Sequence, residues 1–84
     1  MSHEQTGGWR ADILMDAVAG IRTIDLALHL VGVRGGPLEI RARQDLGDAV
    51  DAFRAGDQVS ANATAADLAE EIQKSRQPGR GAAA

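Results

Sequence analysis

The 84-residue sequence contains no cysteine and no tyrosine, and its large aromatic side chains are Trp9 and Phe53. Without cysteine there is no disulfide and no thiolate metal site. Two histidines, His3 and His29, are too few and too far apart in the chain to make an imidazole site. With aromatics this scarce, a core has to be assembled from Ala, Val, Leu and Ile. No run of ~18 apolar residues occurs, so no segment is expected to cross a bilayer. The N-terminus lacks the basic-then-apolar order of a signal peptide, which makes the cytoplasm the expected location. A formal net charge of −3 at pH 7 gives no general attraction to phosphates, so nucleic acid is not an expected partner.

What is present bounds the chain to one small domain. Residues 1–8 and 77–84 are polar or rich in Gly, Pro and Ala without periodicity, and read as flexible tails around a single domain over 9–76. A domain of that size buries only about 60% of its unfolded surface and is marginal alone. Disulfides and a metal being excluded by composition, self-association is the expected remedy.

Along the chain, 9–19 reads as a helix: Leu14, Ala17, Val18 and Ile21 fall at helical spacing, and Gly20 is a plausible stop. From Ile24 the period becomes two, with Ile24, Leu26, Leu28 and Leu30 on one side of a strand. A rival helical reading exists, because Ala17, Ile21, Ile24, Leu28 and Val31 recur at three and four. Gly20, Thr23 and the breaker from Gly32 to Pro37 favour the strand. Arg34-Gly35-Gly36-Pro37 reads as a turn, after which Leu38, Ile40 and Ala42 share a face and Glu39, Arg41 and Arg43 take the reverse. Asp45 looks like the N-cap of a helix with Leu46, Ala49, Val50 and Phe53 as its apolar stripe, closed by Gly56. A polar link over 57–63 and a last helix over 64–76, with Leu68 and Ile72 inward, complete the chain. The expected fold is therefore α+β: helix, β-hairpin, helix and a further C-terminal helix. A lone hairpin is barely stable and its open edges invite pairing, so association through the hairpin is expected.

The segments Leu30-Val31-Gly32-Val33 and Leu38-Glu39-Ile40-Arg41, set between helices, resemble the gas vesicle structural proteins. In that family a Leu-x-Gly-Ile/Val segment is followed, nine positions after the glycine, by an arginine, and Gly32 and Arg41 have that separation. Asp25, seven residues before Gly32, also fits the minor-component members. The resemblance covers roughly residues 13–53. Gly35-Gly36-Pro37 interrupts an otherwise continuous apolar run of the family, and Gln44, Asp45, Asp48 and Asp51 dilute the helix that follows, so the likeness is to a minor or divergent member. It implies polymerisation edge to edge, with one apolar hairpin face toward gas: Ile24, Leu26, Leu28, Leu30, Leu38 and Ile40. It also implies that Arg41 pairs with Asp25 or Glu39. The partners so implied are further copies of the chain and other structural subunits.

Chemistry finds little support in the residue pattern. Asp12, Asp16 and Asp25 sit on polar positions with nothing to desolvate them. Gly32, Gly35 and Gly36 are not followed by the Lys-Ser/Thr of a phosphate loop, and no cofactor is expected. Arg34, Arg41 and Arg43 read as a solvated strand face, and His29 as an outward residue. A helix-turn-helix over Thr23 to Val33 is also weighed, but Ala27 and Gly32 stand five apart where that motif usually has four. The expectation is a non-enzymatic, self-assembling structural protein. The second reading is a small homodimeric regulatory or antitoxin-like protein that binds a protein partner or, ranked lower, DNA.

Overall fold

The computed structural model describes residues 5–75 of the chain. The parts of the expected tails that fall at 1–4 and 77–84, with His3 and Pro78, lie outside the described residues. Four helices follow in order: α1 Gln5–Val18, α2 Ile24–Leu30, α3 Glu39–Arg54 and α4 Gln58–Ser75. Among the described residues there is no strand.

The expected hairpin is therefore overturned, and with it the α+β fold and association through a hairpin. The first expected strand is α2, and the second is the opening of α3. Ile24, Ala27, Leu28 and Val31 repeat at three and four, and this helical set is the one that turns toward the core: Ala27 and Leu28 are 0% exposed, Val31 1%. The period-two row of leucines crosses that set and is split by it. The gas-facing wall implied by the family resemblance needs two strands across 24–43, and loses its basis here.

The ends of the helices explain the choice. At α2 the Thr23 hydroxyl accepts the Leu26 N–H at 3.2 Å, an N-cap. At the other end Val33 N–H donates to the Leu28 carbonyl at 3.0 Å and Gly32 N–H to that of His29 at 3.1 Å. That pair of bonds is the Schellman closure, and it requires a left-handed residue, here Gly32 at φ +85°. Val33, 5% exposed, supplies the buried side chain that commonly accompanies it. So Gly32 ends a helix where the sequence suggested a turn between strands. The same two bonds close α1, Ile21 to Asp16 at 2.8 Å and Gly20 to Ala17 at 3.1 Å. They also close α3, Asp57 to Ala52 at 2.9 Å and Gly56 to Phe53 at 3.0 Å. Asp57 then serves as the cap of α4, its carboxylate accepting the Ser60 N–H at 3.1 Å. With α4 opening at Gln58, the expected link over 57–63 is its first turns.

α4 lies against both α1 and α3, and α2 packs on α1 and α3. The core contains no polar or charged side chain among the described residues. Seven of its fifteen buried residues are alanines: Ala17, Ala27, Ala42, Ala49, Ala61, Ala65 and Ala69. α4 turns Ala61, Ala65, Leu68, Ala69 and Ile72 inward, at helical spacing along its whole length. Small side chains let the helix axes approach closely, and alanine loses no side-chain entropy on burial. The apolar area gained per residue is correspondingly small.

Two glycine substitutions should move stability in opposite directions. Gly32→Ala forces a Cβ into the left-handed region and is expected to cost about 1 kcal/mol. Gly47, inside α3, has no heavy atom beyond its own stretch of helix within 4 Å of the position a Cβ would take. Gly47→Ala should therefore stabilise by about 0.5–1 kcal/mol. Thermal unfolding followed by circular dichroism checks both, each kcal/mol moving the midpoint by about 4–8 °C.

Candidate functional site

The residues expected to share one apolar face are separated by the helical fold. Leu28 is fully buried, and Ile24 and Leu38 are half-buried against the core. Leu26 and Leu30 remain 44% and 40% exposed, and Ile40 is 73% exposed. Around α2 each residue advances about 100°, so Leu26 and Leu30 stand together on a flank turned away from the core. Asp25 and His29 occupy the flank facing α3.

The three residues matched to the family pattern are equally dispersed. Gly32 is the closing residue of α2. Arg41 pairs with Glu71 of α4 at 2.6 Å, not with Asp25 or Glu39 as the resemblance implied. Those two carboxylates meet Arg43 instead, each at 2.7 Å from its Nη2. The reason is the change of period. On a strand Glu39, Arg41 and Arg43 share a side, whereas on a helix Glu39 and Arg43 are neighbours one turn apart and Arg41 swings to the α4 side.

Around Arg43 the result is a clasp. Glu39 accepts from Arg43 with one oxygen and from the Gly35 N–H, at 2.7 Å, with the other. Asp25 reaches the same guanidinium from α2. One arginine thus joins α2, α3 and the loop over 31–38. The hydrogen bond from Arg43, and then its charge, hold the Asp25 carboxyl below its ordinary range. The hydrogen bond from Arg43, followed by that from the Gly35 N–H, does the same for Glu39.

A second tie lies at the far end of α2. The Arg10 guanidinium donates from Nη1 to the Val31 carbonyl at 2.7 Å and from Nε to Gln73 Oε1 at 3.2 Å. It also lies over the Trp9 ring at 4.5 Å, a cation–π contact. Trp9, 44% exposed, is thereby placed at the Leu30 end of α2. Leu26 and Leu30 form the candidate surface. Sequence reasoning flagged the two leucines, but as part of a row that included buried Leu28; it gave Trp9 no role.

The order α2, loop, α3 also bears on the helix-turn-helix idea. The connection over 31–38 is longer than the three or four residues of that motif. Past Arg41 and Arg43, α3 carries Asp45, Asp48 and Asp51, which oppose phosphate contact. Among the described residues, no group of three or more His, Asp or Glu is placed to hold a metal ion. No described helix is long and apolar enough to cross a membrane. No protein-family model, curated protein or solved structure matches the chain.

The clasp predicts a pH dependence. Asp25 and Glu39 titrate lower in the fold than in the unfolded chain, so their contribution is complete above the ordinary carboxylate range and is lost as pH falls through the lowered values. The difference in thermal midpoint between the wild type and Glu39→Gln should be greatest at neutral pH and close as pH falls below that range. A difference independent of pH would show that Glu39 does not act through its charge.

Proposed function

We propose that the chain is a small homodimeric, all-helical regulatory protein that works by contact with other protein, with the Leu26–Leu30 flank of α2 as its dimer surface. The observation that carries this is the pair of leucines, one helical turn apart and 44% and 40% exposed. On an amphipathic helix that flank belongs to charged or polar residues. Here the polar residues of α2, Asp25 and His29, stand on the other flank.

The occupant is a second copy. A core in which nearly half the side chains are alanine gains little apolar area, and cysteine is absent, so covering an outer apolar strip is the route to further stability left to the chain. Two leucines one turn apart on a short helix are also self-complementary: α2 of one copy crossing α2 of the other brings each pair onto the other about a two-fold axis. α2 has seven residues and spans about 10 Å, so the contact is small and the dimer weak and reversible. Weak association suits a regulator whose dimer face is to be exchanged for another protein. A cytoplasmic location is part of the same reading.

Sedimentation equilibrium at rising protein concentration tests it. The wild type should pass from monomer to dimer. Leu26→Lys/Leu30→Lys should stay monomeric with unchanged helical circular dichroism, since both side chains are already partly in water. Ile40→Lys, an exposed residue of α3 away from this flank, should dimerise as the wild type does. A wild type that remains monomeric, or a double variant that still dimerises, overturns the proposal.

A further inference from the structure

A cleft of about 420 Å³ opens at the corner where the end of α1, the start of α2 and the end of α3 meet. Its size lies within the ~300–1,000 Å³ typical of small-molecule sites. Val18, Ile24, Val50 and Phe53 give it apolar walls, and Arg22 and Arg54 bring two guanidinium groups to it. The apolar side chains are buried or half-buried and the Arg54 side chain is exposed, so the cleft has an oily interior beside a charged group.

The charge balance in the cleft is positive. Arg22 is paired with Asp16 at 3.3 Å, which uses both charges. Arg54 has no hydrogen-bond or ion-pair partner among the described residues. Two helix C-termini converge on this corner and would otherwise favour a cation. Part of that preference is already spent: the carbonyls of Asp16 and Ala17 accept from the N–H groups of residues 20–22, and those of Ala52 and Phe53 from those of residues 55–57. Arg54 is left as the uncompensated charge beside an apolar space, and its planar fork matches a carboxylate.

We propose that this cleft binds a small aliphatic monocarboxylate, its chain among Val18, Ile24, Val50 and Phe53 and its carboxylate on Arg54, with Arg22 alongside. The apolar body is needed because a carboxylate on an exposed arginine alone is held too weakly to be a site. The charge is needed because an uncharged chain of the same length leaves Arg54 partly desolvated and unpaired. The site is separate from the leucine flank of α2, so dimerisation and binding can succeed or fail independently.

The test is a titration of the ¹⁵N-labelled full chain with hexanoate, with hexylamine, hexanol and acetate as comparison probes, read as amide shifts. Hexanoate should give saturable shifts clustered at residues 17–24 and 50–54, with a dissociation constant of about 1 mM. Hexylamine should give none there, and hexanol and acetate only weak, non-saturating shifts. Arg54→Gln should weaken hexanoate about tenfold. Arg34→Gln, which removes an exposed cation outside the cleft, should change nothing. No saturation with hexanoate, equal binding of hexylamine, or an Arg54→Gln protein that binds as well as the wild type would each overturn the proposal.

Discussion

A left-handed glycine past the end of each of the first three helices is the constraint from which the arrangement of the chain follows. Gly20, Gly32 and Gly56 all have positive φ, and each closes its helix with the same pair of backbone bonds. The closure satisfies carbonyls that would otherwise be orphaned and reverses the chain within a few residues. Caps then restart the helix almost at once, Thr23 after Gly20 and Asp57 after Gly56. Short connections force α1 to lie next to α2, and α3 next to α4. The alanines at the contacts let the paired helices settle at close range.

The polar ties sit outside this core and do a different job. No buried side chain is polar among the described residues, so hydrogen bonding selects nothing within the core itself. Arg10, Arg41 and Arg43 instead connect helices at the periphery: α1 to the end of α2 and to α4, α3 to α4, and α2 to α3. Exposed pairs of this kind add little individually. They act by fixing the register of helices whose apolar contacts, nearly half of them alanine, discriminate weakly between positions along the axis. Arg43 illustrates this, since it meets Asp25 from another helix and Glu39 from its own only when both helices hold one relative position.

Several parts of this were legible in the residues. Of the sets expected inward by spacing, Leu14, Ala17, Val18, Leu46 and Ala49 are buried and Val50 and Phe53 half-buried, whereas Ile21, beyond the Gly20 stop, is 71% exposed; Gly20 and Gly56 mark the helix stops in the sequence. The error lay in 24–43, where two periods coexist. Ile24, Leu26, Leu28 and Leu30 satisfy an alternation of two, while Ile24, Ala27, Leu28 and Val31 satisfy three and four. Composition could have decided between them over 24–31, because Leu and Ala are strong helix formers and only Ile24 and Val31, at its ends, are β-branched. Thr23, three residues before Leu26, and Glu39, four before Arg43, were further helical signals. The cleft and the position of Trp9 had no such signal: both depend on how separate helices meet, which no local pattern encodes. The inward role of Ala61 and Ala65 was obscured differently, since alanine reads as weakly apolar in sequence and counts as core only when a neighbouring helix comes close enough to cover it.

α2 is where these features converge. Seven residues are too few for a helix to persist by itself, so α2 exists through what surrounds it. Thr23 and Gly32 secure its ends, Ala27, Leu28 and the C-cap Val31 anchor it inward, Arg43 holds one flank, and Arg10 holds the Val31 carbonyl. Its first turn borders the cleft through Thr23 and Ile24. The flank left open carries two leucines. A helix restrained on each other side cannot rotate to hide them, because any rotation that buried Leu26 and Leu30 would bring Asp25 or His29 toward the core and break the bond to Arg43. The leucines are kept in water by the same ties that make the helix, and no other described part of the chain covers them.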